Sequence, residues 1–216
     1  QTGPWGCADE PGYGKGARFS SYCVYPHGII VDPVTGCRIL NEWADRRQRS
    51  EAIVNCGHPC VGIVDAKGAQ TDSESLVNCL KTGKVKEFKN IDDLAENHEI
   101  PAESLQKTIT HYDRMIQTKQ TDMFGKILAD GAQPLKDFPL YSIRLWPKVH
   151  YTVGGLAIDE SARVLDLHSS PISRLFAAGE VCGGIHGASR LGSCALPECL
   201  IFGKIAGEKA ASLSLR

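Results

Sequence analysis

The sequence predicts a mixed helix–strand chain in two parts, an α+β part over about residues 1–147 and an α/β part over about residues 148–216. Two observations carry this. In the first part, short β-branched runs bounded by Gly and Pro alternate with helical stripes of apolar residues. In the second, a glycine-dense run from Gly154 to Gly192 turns into apolar periodicity at Leu196, Cys199, Leu200, Gly203 and Gly207, the three- and four-residue steps of one helix face. A length of 216 residues with 42% hydrophobic content is enough for one large or two small domains with a core.

Taken in order, residues 1–21 are rich in Gly and Pro and read as irregular. Tyr25 to Leu40 reads as a hairpin, with a β-branched strand at Gly28–Asp32, a turn at Pro33-Val34-Thr35-Gly36 and a return strand at Cys37–Leu40. Asn41 opens a helix to about Val54, and Pro59 to Val64 is a strand. Asp72 or Ser73 can cap a helix through Leu80, ended by Thr82-Gly83. Pro101 starts the clearest helix of this half, with Leu105, Ile109, Tyr112 and Ile116 on one stripe. Residues 122–139 have few signals, and Tyr141 to Leu145 is a strand leading toward His150. Pro197 fits the first turn of the last helix, where its missing N–H costs nothing.

A net charge of −1 and the lack of a basic tail or aromatic platform point away from a nucleic-acid partner. The longest apolar runs are too short for a membrane-spanning helix. Nine cysteines cannot all pair internally. Cys56-Gly57-His58-Pro59-Cys60 lacks the second ligand pair a structural metal needs and is not a c-type haem attachment, so no metal is expected. The start at Gln1, with neither Met nor a signal sequence, is expected to be a processing or expression boundary.

The reactive groups of the glycine-rich region are His150, Glu180, His186 and Arg190. Glu180 and Arg190 are ten residues apart, and His150 lies forty before Arg190. With their neighbours, His150-Tyr151-Thr152-Val153-Gly154-Gly155, Ala177-Ala178-Gly179-Glu180-Val181, Gly184–Ser193 and Glu198–Ala210 resemble, in order, the C-terminal flavin-binding part of the fumarate reductase/succinate dehydrogenase flavoprotein superfamily. The soluble flavocytochrome c fumarate reductase branch, which includes urocanate reductase, is the nearest likeness. A second, weaker patch lies at Arg38–Ile53.

The resemblance implies that residues 1–147 are a capping (clamp) domain and residues 148–216 the last segment of an FAD-binding domain. It implies an FAD-dependent oxidoreductase acting on CH–CH bonds, reducing an activated C=C bond in a small unsaturated carboxylate. Arg46, placed after Asn41-Glu42, matches the arginine that donates the proton, and His150 and Arg190 match the pair that clamps the substrate carboxylate. An arginine can hold a carboxylate by two parallel N–H···O bonds, which fixes the alkene's orientation. FAD contacts are implied at Tyr151, Gly154, Gly155, Glu180, Arg190, Ser193, Cys194, Ala195 and Leu196. Glu180 would take ribityl or ribose hydroxyls, and the helix start would set N–H groups beside the flavin ring.

The departures bear on substrate. Where fumarate reductases open the capping segment with His-Pro, this chain has Gly3-Pro4, followed by Trp5, and no Thr-Glu pair precedes the hairpin, where Asp9 and Glu10 are the only acids. Ser189 and Cys194 stand where asparagines are usual. One carboxylate clamp is kept and the other lost, which favours a monocarboxylic enoate over fumarate. The dinucleotide fingerprint GxGxxG is also absent, since Gly12-Tyr13-Gly14-Lys15-Gly16 lacks the preceding apolar strand. The N-terminal half of the FAD site is therefore expected on a missing segment or another chain, with a cytochrome as electron donor and a periplasmic, alternatively cytoplasmic, home. The rival readings are an oxidising member of the superfamily, L-aspartate oxidase-like or 3-ketosteroid dehydrogenase-like, and, from a different class, a non-catalytic subunit.

Overall fold

The computed structural model describes residues 2–6, 16–119, 121–128 and 134–213. Asp9, Glu10 and Gly12–Lys15 lie outside them. The chain divides into two compact units, residues 3–148 and residues 149–216, with Thr2 grouped with the second.

The first unit is built on a five-stranded sheet in which β1 (Thr2–Gly6), β5 (Leu140–Val149), β3 (Cys60–Val64) and β2 (Ile29–Val31) lie side by side, with β4 (Lys86–Phe88) also on β5. The β2–β3, β3–β5 and β4–β5 pairs are antiparallel, in a register set by Ile29↔Ile63, Cys60↔Leu145 and Lys86↔Ser142. Both faces are covered, which explains why β2 reads as a continuous apolar run without alternation. Ile30 packs into one cluster with Phe19, Ile53, Cys60, Val64 and Leu145. Ile29 and Val31 face the other, with Val61, Ile63, Leu94, Leu105, Ile109 and Tyr112.

The first face carries α1 (Ala17–Phe19), the π-helical turn Ser20–Val24, α2 (Tyr25–His27), α3 (Arg46–Cys56), α4 (Ala66–Ala69) and α5 (Ser73–Lys81). The second carries α6 (Ile91–Asn97) and α7 (Ala102–Thr118). Asp72 caps α5 by accepting from Ser75 N, and Pro101 precedes α7, whose Leu105, Ile109 and Tyr112 are buried. Gly28 is required where the chain turns into β2, because a Cβ there would strike the Ile63 carbonyl.

Three expectations change. Residues 1–21 are not all irregular, since β1, α1 and the π-helical turn form there. The hairpin keeps its strand at Ile29–Val31 and a turn ending at Gly36 (φ 71°), but Tyr25 is helical and the return strand shrinks to one bridge, Val31↔Arg38. The helix expected from Asn41 begins at Arg46, because the preceding side chains make turns instead. Asn41 Oδ1 accepts from Trp43 N at 2.8 Å, and Asp45 caps α3 from Arg47 N at 2.8 Å and Gln48 N at 3.1 Å.

The second unit holds a two-stranded antiparallel ribbon, β6 (Arg163–Leu165) and β7 (Pro171–Phe176), and the helix α8 (Ala195–Ala211). A parallel bridge, Leu156↔Cys182, brings the two glycine-rich stretches together, with Leu156 N on Val181 O at 2.8 Å and Gly183 N on Leu156 O at 3.0 Å. Gly155 permits this approach, since its missing Cβ leaves room for the Val181 carbonyl. The expected apolar face of α8 is present but points outward: Leu196 is 70% exposed and Leu200 73%.

Candidate active site

Arg46 belongs to the first unit and the other expected site residues to the second. Arg46 is the first residue of α3, half-buried. The loop that delivers it is fixed by a buried ionic network. Glu42, fully buried, takes Arg38 Nε on Oε1 at 2.9 Å and Arg38 Nη2 on Oε2 at 2.7 Å. Glu42 Oε1 also accepts from Ile30 N at 3.0 Å, tying the loop to β2. Arg38 Nη1 donates to Asp122 at 2.5 Å, and Lys126 Nζ lies 3.4 Å from Glu42 Oε2. Burial disfavours the Asp122 anion, but the Arg38 bond and the Lys126 and Phe124 N–H groups outweigh it and hold its carboxyl below the usual range. The Asn41-Glu42 pair thus shapes and anchors the approach to α3.

One turn beyond Arg46, Arg49 is 9% exposed, with its guanidinium 3.8 Å over the Tyr25 ring and Nη1 donating to the Glu42 carbonyl at 2.9 Å. Burial lowers its proton affinity, Tyr25 opposes, and the charge of Arg46 lowers it further. Arg49 is thus a core cation rather than part of a solvated helix face. His58 of the Cys56–Cys60 motif pairs with Asp32 at 2.7 Å.

In the second unit, one cluster gathers Tyr151, His186, Arg190 and Glu198. The Arg190 guanidinium lies 4.4 Å over the Tyr151 ring, and the His186 ring meets that ring edge-on with centroids 5.8 Å apart. Tyr151 donates its hydroxyl to Glu198 Oε2 at 2.5 Å, and His186 Nε2 lies 2.8 Å from the same oxygen. Burial, then the bond to Glu198, push the Tyr151 phenol up to about 12. His150, next to Tyr151, is half-buried. Sequence reading missed Glu198: an acid in a helix's first turn reads as a favourable dipole contact, and nothing in the pattern says that it is buried. His186 stands out in the sequence by residue type, but its partner there is visible only in the fold.

Glu180 is exposed, and its Oε1 accepts from Thr152 N at 2.8 Å and Thr152 Oγ at 3.2 Å. Its Oε2 takes neither bond. At the start of α8, Ser193 adopts φ 65° and Cys194 caps without a side-chain hydrogen bond. Pro197 in the first turn has no N–H. Leu196 N donates back to the Ser193 carbonyl at 3.3 Å, so the first turn offers chiefly the positive end of a 17-residue helix. Gly154 is exposed, and a Cβ there would meet open space.

A family model described as "FAD binding domain" matches residues 1–196. The chain belongs to the FAD binding domain family. Within it, the chain is 42% identical over 214 residues to the acrylate reductase flavoprotein subunit of Shewanella woodyi, covering 95% of this chain and 42% of that protein. It is 34% identical over 203 residues to NADH:acrylate oxidoreductase of Vibrio harveyi, covering 92% and 20%. Among solved structures, the open conformation of a flavocytochrome c3 fumarate reductase superposes with a TM-score of 0.65 at 28% identity, over 98% of this chain and 36% of that one. The chain thus spans less than half the length of these relatives.

The family's FAD fits the residues of the second unit. Glu180 accepts from Thr152 through Oε1 alone, and the α8 start carries the positive end of the helix dipole, chemistry of the kind that the hydroxyls and the electron-rich ring of that cofactor would need.

Proposed function

We propose that this chain carries the substrate-handling part of an FAD-dependent reductase that saturates the C=C bond of an unsaturated monocarboxylate of the acrylate type. The observation that carries the reading is the Arg190 guanidinium, buried on the Tyr151 face in the same unit as Glu180 and the α8 start. A cation so placed recognises a carboxylate by paired N–H···O bonds and stabilises the negative charge that builds on it during reduction. The likeness to acrylate reductases and to a fumarate reductase supports both the chemistry and the direction.

The roles follow from the residues. Arg190 and His150 hold the carboxylate. Glu180, with Thr152, holds flavin hydroxyls, and Tyr151, Gly154, Gly155 and Ser193–Leu196 complete this chain's share of the flavin contacts. Bound and reduced, FAD supplies the hydride. Arg46 supplies the proton from an α3 start that Glu42 and Arg49 hold rigid. Residues outside this chain would provide the remaining FAD contacts, a reading favoured by exposed Ile172, Leu175, Leu196, Leu200 and Ile201 in the second unit. A cytochrome is the proposed electron donor, in line with the flavocytochrome likeness.

The test is kcat/KM for acrylate and fumarate on the complete flavoprotein with reduced viologen as common donor. Acrylate should lead. If fumarate leads, a basic group elsewhere replaces the histidine absent at Gly3. If neither is reduced while a saturated acid or ketosteroid is dehydrogenated, the enzyme runs in the oxidising direction.

A further inference from the structure

The side chains around Arg190 converge on a single carboxylate. Glu198 is 4% exposed and stands on the first turn of α8. Its Oε2 receives the Tyr151 hydroxyl at 2.5 Å and faces His186 Nε2 at 2.8 Å. The hydroxyl end of Tyr151 is thereby pinned, its edge is packed by the His186 ring, and its face carries the Arg190 guanidinium at 4.4 Å. An arginine side chain has four rotatable torsions; here Nη1 donates to the Leu191 carbonyl at 2.8 Å, and the ring on which the guanidinium stacks sets the plane of its remaining donors. Tilting that ring moves the fork, and a displacement of about 1 Å in a positioning group can cost on the order of 100-fold in rate.

We propose that Glu198 is a positioning residue for the carboxylate clamp: it orients Arg190 through Tyr151 and locks the Gly183–Gly187 turn to α8 through His186. The proposal rests on the reading of Arg190 as the substrate-carboxylate anchor. The link proposed runs from Glu198 through the Tyr151 hydroxyl and ring to the stacked Arg190 guanidinium. The Tyr151 phenol, pushed up to about 12 by burial and by Glu198, stays protonated at working pH and so remains a donor to Oε2. His186 also faces Oε2, and the Arg190 cation stacks on the ring.

The experiment uses the complete flavoprotein and reads KM for acrylate, the inhibition constant of propionate as a non-reducible monocarboxylate, flavin absorbance and Tm. Arg190→Lys tests the underlying reading, and Tyr151→Phe and Glu198→Leu test the proposal. Tyr151→Phe keeps the ring and deletes only the bond to Glu198, so it remains informative where Glu198→Leu fails to load flavin. Both should weaken propionate by about 10-fold or more while flavin stays bound. The double variant should be no worse than the poorer single, because both act through one link. Glu198→Gln, which keeps an acceptor oxygen, should recover part of the loss. If Arg190→Lys weakens propionate but Tyr151→Phe leaves it within two-fold, Glu198 is only structural glue and the proposal falls. If Arg190→Lys leaves propionate binding unchanged, the clamp reading falls, and the proposal with it.

Discussion

Replacing Glu42 with glutamine removes one charge from the centre of a closed network and leaves the packing volume intact. Oε1 now accepts from Ile30 N at 3.0 Å and Arg38 Nε at 2.9 Å, and Oε2 from Arg38 Nη2 at 2.7 Å with Lys126 Nζ at 3.4 Å. Whichever way the amide is turned, its NH2 group faces donors. The network then holds two cations, Arg38 and Lys126, against the single carboxylate of Asp122. Removing one partner of a buried ion pair costs about 3–5 kcal/mol. For a domain of roughly 150 residues, at about 2–4 °C per kcal/mol, that is a fall in Tm of about 6–20 °C. The assay is thermal unfolding of the full chain followed by circular dichroism. The double variant Glu42→Gln/Lys126→Met should regain part of the loss, since it removes the surplus cation as well. A shift under about 3 °C for Glu42→Gln, or a strictly additive double variant, would refute the claim that this network anchors the approach to α3.

Three further outcomes are expected. Arg46→Lys should keep flavin bound yet slow acrylate reduction by about 10²- to 10⁴-fold, because lysine cannot reproduce the planar donor; near-normal stopped-flow turnover removes Arg46 from the mechanism. Glu180→Ala should lose FAD on gel filtration while circular dichroism stays unchanged, and full retention would show that the hydroxyls are held elsewhere. Burial, then the charges of Lys86 and Arg144, hold the His98 ring down to about 4, below the ordinary 6.5. Because the folded value is the lower one, this contribution to stability is present above pH 6.5 and is lost as pH falls toward 4. Urea unfolding of His98→Asn should show a flatter pH dependence across that window; an unchanged slope would sink the assignment.

How much of the fold was legible depended on whether a signal was local. The helix at Ala102–Thr118 announced itself through Pro101 and a stripe at Leu105, Ile109 and Tyr112 that is indeed the buried one. The cap at Asp72 and the strand at Cys60–Val64 were equally local. The short strand Lys86–Phe88 was not, because its alternation spans three residues and its stability comes from pairing with β5. The π-helical turn Ser20–Val24 likewise has no compositional mark. The delayed start of α3 was readable in principle: Asn41 and Asp45 are both residues whose side chains compete for backbone N–H groups, and each does so here.

In the candidate site, groups whose type announces chemistry can be picked out from the sequence, and groups whose importance is decided by burial cannot. His150, Glu180 and Arg190 stood out by type and order, and the structure sets Arg190 on Tyr151. Glu198 did not stand out, because period and charge both placed it on the polar side of its helix. In the fold that side is turned inward: among the described residues of α8, Glu198 is the buried one, while Leu196 and Leu200 are 70% and 73% exposed. Such inversion would be costly in a helix whose only neighbours were those of its own unit, since two leucines lose their burial and a carboxylate loses its water. The carboxylate's cost is met locally by Tyr151 and His186. The leucines have no such answer within the unit, and this is the physical argument for further protein over the outer face of α8. Hydrophobic periodicity locates an apolar face; it does not say whether the covering surface is contributed by the same stretch of chain.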